Sequence, residues 1–259
     1  MMSASAKFRF QAHRGVSTDY PENTLVAFKG AVDQGYDLIE LDPKFTADNQ
    51  CVILHDATIN RTGRYADGSR IPGSMAISSI TLDDVRKFDF GVWASPEYAG
   101  ENIPTLDEAL CFSQEHGIPL KFDNVMESFT DDQRKIFFDA VKKFGFRSNI
   151  GFTCKSLGYL SKVIEVFPDA EIHYDGPFDE DTLKTIVQCL KNNRLTIWVG
   201  FSSATKEICA LAKQYGELGL WILTSEEQLH SAIHTYHADV IETDGSIKPS
   251  MINHAEPHQ

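Results

Sequence analysis

Basic residues are scarce in this chain. Against 37 Asp and Glu stand 24 Lys and Arg, a formal net charge of −13 at pH 7 over 259 residues. A surface with that balance repels polyanions, so binding to nucleic acid or docking on an anionic membrane is not expected. A small anionic substrate is not excluded, because one bound cation and a few local bases can reverse the sign inside a cleft. Cysteine is sparse as well. Cys51, Cys111, Cys154, Cys189 and Cys209 are odd in number and none forms a C-x-x-C pair, which removes zinc-ribbon and dithiol redox sites. Free thiols point to a reducing compartment. There is no apolar run of 18 residues, so no membrane-spanning helix and no integral membrane contact are expected. The stretch from Met1 to Lys7 is too short and polar for a signal peptide, which makes a cytoplasmic location the expectation. Repeats and low-complexity tracts are missing. So is a Gly-x-Gly-x-x-Gly after the first apolar run, and with it a dinucleotide site.

What the chain does have is an ordinary globular composition, 42% hydrophobic and 24% charged, enough to bury a sizeable core. Short β-rich runs alternate with helix-period segments. Strand candidates are residues 8–13, 37–42, 118–125, 149–154, 171–175, 195–201, 218–223 and 239–243. Helical candidates between them are 22–34, 106–116, 131–144, 157–167, 179–192, 204–214 and 226–236, with Gly35, Gly117, Gly145 and Gly216 as stop signals. Alternation of this kind implies βα units and a parallel sheet. Eight strands in one domain of this length imply a closed (β/α)8 TIM barrel, with an open doubly wound sheet as the rival. Residues 44–104 break the rhythm. They hold a hairpin-like pair at 44–46 and 51–55 around Asp48-Asn49, a Gly/Pro-rich loop, and a short helix near 82–88. This reads as a subdomain inserted between the second and third barrel strands, within a single domain of residues 1–259, on the face where barrel loops build active sites. The tail 253–259 is expected to fray.

The residues that could carry chemistry collect at strand ends. The first strand closes on His13-Arg14-Gly15. The second carries Glu40 and Asp42, whose i, i+2 spacing aims both carboxylates at one face within an otherwise apolar run. Two like charges buried side by side are costly unless a cation neutralises them, and oxygen donors suit Mg²⁺ or Ca²⁺ better than zinc. The alternative is a salt bridge to a neighbouring lysine or arginine. His55-Asp56 follows the apolar Val52-Ile53-Leu54. Histidine titrates near neutrality, so a pair can hold the acid and base roles that phosphodiester hydrolysis needs.

In order, His13-Arg14-Gly15, Pro21-Glu22-Asn23-Thr24, Glu40-x-Asp42, His55-Asp56 and Arg61-Thr62 resemble the signature of the glycerophosphodiester phosphodiesterase family. Ile103-Pro104-Thr105-Leu106-Asp107-Glu108 is similar to that family where the insertion returns to the barrel, and Leu220-Trp221 and Glu242-Thr243-Asp244 are similar to its closing strands. The resemblance is dense through residue 125 and thin from 126 to 217. It implies a barrel with a small inserted subdomain, a divalent cation, and hydrolysis of a small-molecule glycerophosphodiester to glycerol 3-phosphate and an alcohol. It further implies Glu40 and Asp42 as metal ligands, His13 and His55 as the acid–base pair, with His55 favoured as base, and Arg14 on the phosphate. The substrate's own glycerol hydroxyl would attack phosphorus, giving a cyclic phosphate that water opens. Glu22 and Asn23 would brace the site, and Trp221 would wall the glycerol or alcohol, with a core role the equal alternative.

One strand departs from the pattern. Where the family usually carries Glu-x-Lys, this chain reads Lys121-Phe122-Asp123. Aligned on Gly117-Ile118, Asp123 takes the third ligand position and Val125 falls where the lysine would be. A second alignment puts Lys121 at the ligand position and Asp123 at the lysine's. Asp123 is the favoured ligand, since an ammonium cannot hold a cation. Lys121 is then either the phosphate's positive partner from another depth or a salt-bridge partner of Glu40. Lys155, His173 and Asp175 either line the pocket or are ordinary polar residues of loops. A related enzyme for another diester, such as a sugar phosphodiester or a phospholipid, and a barrel that binds a phosphodiester without turning it over are the alternatives.

Overall fold

The computed structural model describes residues 8–146 and 149–254. Met1 to Lys7 and the last five residues of the tail lie outside them. The elements run β1 (Arg9–His13), α1 (Leu25–Asp33), β2 (Leu38–Leu41), β3 (Pro43–Phe45), β4 (Cys51–Ile53), α2 (Leu82–Val85), α3 (Leu106–His116), β5 (Leu120–Phe122) and α4 (Asp131–Lys143). They continue with β6 (Ile150–Cys154), α5 (Leu157–Val166), β7 (Glu171–Tyr174), α6 (Glu180–Cys189), β8 (Leu195–Gly200), α7 (Lys206–Lys213), β9 (Glu217–Trp221), α8 (Glu226–His234) and β10 (Val240–Thr243). Eight strands close into a parallel barrel in the order β1-β10-β9-β8-β7-β6-β5-β2. The (β/α)8 barrel is therefore the fold. β3 and β4 form a separate antiparallel pair.

The strands form where the sequence places apolar, β-branched and aromatic side chains in short runs, and the helices start where a side chain can cap them. Thr24, Thr105, Thr130, Ser156, Asp179, Thr205 and Ser225 each accept from a backbone N–H in the first turn of the helix they precede. Two family-like motifs thereby acquire a structural explanation. Thr24 of Pro21-Glu22-Asn23-Thr24 caps α1. Thr105 and Glu108 of Ile103-Pro104-Thr105-Leu106-Asp107-Glu108 form a capping box on α3. Helix α1 consequently begins after residue 22, at Leu25 rather than inside the motif.

The third barrel strand is shorter than residues 118–125. It ends at Phe122, because Asp123 starts a 3₁₀ turn, Asn124–Ser128. Lys121 stays on the strand, and Asp123 sits at its rim. Between β2 and β5 the insertion packs its own apolar cluster of Val52, Leu54, Ile59, Ile71, Ile77, Val85, Phe90 and Ile103. Of the β3–β4 hairpin, Val52 packs in that cluster while Phe45, Cys51 and Ile53 pack in the main core, so the hairpin joins the two. Among the described residues no helix is long and apolar enough to cross a membrane, and all five cysteines are free.

The barrel interior is partly polar. Near the N-terminal end Arg9 bonds Glu171 and Glu217, and Arg194 adds a second contact to Glu217. Above them His173 is fully buried. Its Nδ1 accepts from Trp198 Nε1 at 2.9 Å, and its Nε2 lies 3.7 Å from Glu171 Oε1. Gly151 makes room for this ring, since a Cβ there would stand 2.6 Å from His173 Nε2. His173 thus fills the barrel and does not line the mouth. Burial pushes its imidazole down to about 3, against the opposing pull of Glu171. An unfolded chain protonates this histidine below about pH 6.5, while the folded one keeps it neutral. Its contribution to stability is therefore full above pH 6.5 and lost progressively as pH falls towards 3. Between pH 7 and pH 5 this histidine alone should remove about 2 kcal/mol of unfolding free energy. The difference in urea unfolding free energy between pH 7 and pH 5 should shift by about that amount between wild type and His173→Gln, whatever the other groups contribute; an equal difference in the two proteins would contradict the assignment.

Candidate active site

The C-terminal mouth of the barrel holds a cavity of about 220 Å³. His13, Arg14, Glu40, Asp42, His55, Lys121, Asp123 and Trp221 all line it. Asn124, Lys155, Asp175, Trp198 and Glu242 complete much of its wall. Of the residues singled out by sequence, Glu22 and Asn23 stand behind the wall. Glu22 accepts from Arg14 Nη1 at 3.1 Å, and Asn23 Nδ2 donates to Asp42 Oδ2 at 2.8 Å.

The first strand delivers its motif through a tight backbone. Arg14 at φ 58° and Asn23 at φ 56° both occupy the left-handed region, which non-glycine residues adopt mainly at special sites. Asn23 N donates to Arg14 O at 2.9 Å, joining the two. Gly15 has φ 80°, and a Cβ there would stand 2.8 Å from the Ala27 backbone of α1. The glycine of His13-Arg14-Gly15 is thus set by conformation and by close approach to the helix. His13 is fixed by a 2.6 Å hydrogen bond from its Nδ1 to Asp244 Oδ1, and its Nε2 lies 4.0 Å from Glu40 Oε2. Burial opposes a charge on this ring, but Glu242, the Asp244 hydrogen bond and Glu40 outweigh it and raise its pKa to about 9.

The second strand delivers Glu40 and Asp42, both almost wholly buried. Glu40 Oε2 accepts from the Arg14 backbone N–H at 3.1 Å, and Arg14 Nε lies 3.5 Å from Asp42 Oδ2. Burial, reinforced by the neighbouring Asp42 charge, pushes the Glu40 carboxyl well above the usual carboxylate range. A buried carboxylate under that pressure is short of positive charge. Oxygen donors at the end of β2, with Asp123 beside them at the end of the neighbouring strand β5, match the preferences of a hard divalent cation. Asp42 meanwhile faces Asn23 and Arg14, and Asp123 Oδ1 accepts from Asn124 at 3.2 Å. Among the described residues no three His, Cys, Asp or Glu side chains converge tightly enough to hold an ion as they lie.

Lys121 pairs with Glu242 rather than with Glu40, Nζ to Oε2 at 3.3 Å, with its ammonium 5.0 Å from the Trp198 ring centroid. Yet its backbone stands directly opposite Glu40 in the β2–β5 register. The reason is on the facing strands. Gln11 of β1 and Glu242 of β10 are register partners, and Gln11 Nε2 also donates to Glu242. Trp221 is 39% exposed, so it is a wall of the mouth and not a core residue; Trp198 is the buried one. Lys155 and Asp175 line the cavity. Burial raises the Asp175 carboxyl to about 6, with Lys121 and Lys155 opposing.

Sequence reasoning assigned no role to Glu242, Asp244, Asp56 or Arg61. The last two form a clamp at the rim of the insertion. His55 Nδ1 meets Asp56 Oδ1 at 2.7 Å, and Arg61 Nε donates to Asp56 Oδ2 at 2.7 Å. The signal was present, since each lies within a family-like motif, but Glu242, Asp244 and Arg61 meet Lys121, His13 and Glu22, partners far along the chain.

The sequence model of the Glycerophosphoryl diester phosphodiesterase family matches residues 13–172. A glycerophosphodiester phosphodiesterase from Caldanaerobacter subterraneus is 33% identical over 141 residues, 54% of this chain and 54% of that protein. Glycerophosphodiester phosphodiesterase 1 of Mus musculus is 38% identical over 114 residues, 43% of this chain and 32% of that protein. The chain thus matches about half, or less, of the length of these curated relatives. Among solved structures, an Oleispira antarctica phosphodiesterase in complex with the product sn-glycerol-3-phosphate superposes with a TM-score of 0.77. It is 21% identical, over 95% of this chain and 96% of that one.

If Asp244 holds the charge on His13, Asp244→Asn should lower the imidazole's pKa from about 9 towards its ordinary value. A histidine NMR titration in EDTA reads this directly. An unmoved midpoint would mean that Asp244 does not set the charge state of His13.

Proposed function

This chain belongs to the glycerophosphoryl diester phosphodiesterase family, and from that premise we propose that it hydrolyses small glycerophosphodiesters to glycerol 3-phosphate and an alcohol. The observation that carries the proposal is the single cavity lined by His13, His55, Arg14, Glu40 and Asp42 at the barrel mouth. The product in the Oleispira antarctica neighbour supports the same substrate class.

In this reading His55 is the base. Its Nδ1 proton is engaged by Asp56, which leaves the Nε2 lone pair to take the proton of the substrate's glycerol hydroxyl. That oxygen bonds to phosphorus as the bond to the leaving alcohol breaks. His13, charged and oriented by Asp244, gives its Nε2 proton to the leaving oxygen. Water then opens the cyclic phosphate with the two histidines in reversed roles. Arg14, anchored by Glu22 and Asp42, meets the phosphate. Lys121, held by Glu242, adds positive charge from the floor, and Trp221 walls the glycerol or alcohol moiety. A divalent cation, Mg²⁺ or Ca²⁺, held by Glu40 and Asp42 with Asp123 as third donor, supplies neutralisation of the phosphoryl oxygens when bound. The five free thiols and the water-soluble substrate class support a cytoplasmic setting.

Turnover of a glycerophosphodiester panel, scored by released glycerol 3-phosphate, tests this reading. EDTA should abolish activity and Mg²⁺ or Ca²⁺ restore it. His13→Ala and His55→Ala should each lower kcat by about 10²-fold or more with the fold intact. Near-wild-type rates in either variant would remove the acid–base assignment, and faster turnover of a sugar phosphodiester than of every glycerophosphodiester would replace the substrate class.

A further inference from the structure

His55 and His13 are held in different ways. The His13 side chain is 15% exposed and packed into the barrel, whereas that of His55 is 43% exposed on the insertion. Packing therefore does little to fix the His55 ring, and among the described residues the hydrogen bond that orients its imidazole is the one to Asp56. Asp56 is itself exposed enough to rotate away. Arg61 prevents this. Its Nε donates to Asp56 Oδ2 at 2.7 Å and its Nη2 to Asp56 Oδ1 at 3.1 Å, a two-point grip on one carboxylate. The other edge of the same guanidinium grips Glu22, Nη1 to Oε2 at 2.6 Å and Nη2 to Oε1 at 2.8 Å. Glu22 Oε1 in turn accepts from Arg14. Four charge-assisted hydrogen bonds from one side chain thus join a carboxylate of the insertion to a carboxylate of the first barrel loop. A planar guanidinium can make this fork on two sides; an ammonium cannot.

We propose that Arg61 is a positioning residue that couples the two halves of the site, fixing the His55 tautomer through Asp56 and the Arg14 guanidinium through Glu22. The proposal rests on the phosphodiesterase reading for its kinetic consequence but not for its structural one. Asp56, held by Arg61, keeps the His55 proton on Nδ1 and turns Nε2 to the cavity. Released from Arg61, the ring populates both tautomers, and the fraction with a free Nε2 falls. Because Arg61 does not line the cavity, its loss acts on kcat more than on KM.

The test uses full-length wild type, Arg61→Lys, Arg61→Ala and Asp56→Asn. In ¹⁵N spectra of the His55 ring, wild type should show the Nδ1–H tautomer, and both Arg61 variants should show a mixed one. In turnover of a glycerophosphodiester, Arg61→Lys should lose about 10-fold or more in kcat with KM changed less than about 3-fold. The double variant Asp56→Asn/Arg61→Ala should lose less than the product of the two single losses, since the two residues share the His55 link while Arg61 alone also holds Glu22. An unchanged His55 tautomer in Arg61→Ala would overturn the proposal, as would multiplying losses in the double variant or full activity in Arg61→Lys. If wild type turns over no glycerophosphodiester, the functional reading fails while the tautomer measurement still decides the role of Arg61.

Discussion

The mouth of this barrel is organised around two buried carboxylates, Glu40 and Asp42, carried by the end of one strand. Placing like charges together away from water is unfavourable unless positive charge or hydrogen-bond donors compensate. Much of what surrounds them is compensation. The Arg14 backbone amide and side chain face Glu40 and Asp42, Asn23 donates to Asp42, and His13 stands 4.0 Å from Glu40. Arg14 and Asn23 reach these positions only through left-handed backbone conformations. The strained turn of the first loop and the carboxylates of the second strand are therefore one unit. Even so, Glu40 remains under-compensated, and that residual deficit supports a cation in our reading.

The third strand carries Lys121 two residues before Asp123, the favoured third donor, and the barrel pairs that lysine with Glu242 rather than with Glu40. This choice propagates. Glu242 neutralises Lys121 on one side and is the first charge to favour protonation of His13 on the other. The barrel floor thus links Lys121 to the charge state of the proposed acid. Asp123, displaced to the rim by the early end of β5, faces the cavity beside Asn124. At the rim of the insertion, the Arg61 clamp holds the Asp56 carboxylate that orients the exposed His55, as Asp244 orients the buried His13.

The barrel was legible in the sequence because each strand is a short apolar run and each helix opens on a Ser, Thr or Asp cap; every strand candidate has a counterpart within a few residues. Ends shifted where a local rule overrode periodicity, as at Thr24 and at Asp123. The first-strand and second-strand site residues were legible because strand geometry fixes where i and i+2 side chains point. Side-chain partners were not. Pairing Lys121 with Glu242, His13 with Asp244 and Arg61 with Glu22 joins residues far apart in the chain, and periodicity carries no information on which ring neighbour supplies the opposite charge. His173 shows the limit from the other side. At a strand end it reads as a pocket residue or an ordinary loop polar one, and it is neither: the glycine facing it and the Trp198 donor place it in the core.

The account stands on the claim that Glu40 and Asp42 hold a divalent cation with Asp123 as the third protein donor. A crystal soaked in Mn²⁺, read by anomalous scattering, tests this most directly. The account predicts one strong peak within about 2.0–2.6 Å of oxygens from Glu40, Asp42 and Asp123, with Lys121 still on Glu242. A peak held by other residues, or no peak at the two strand carboxylates, would contradict it.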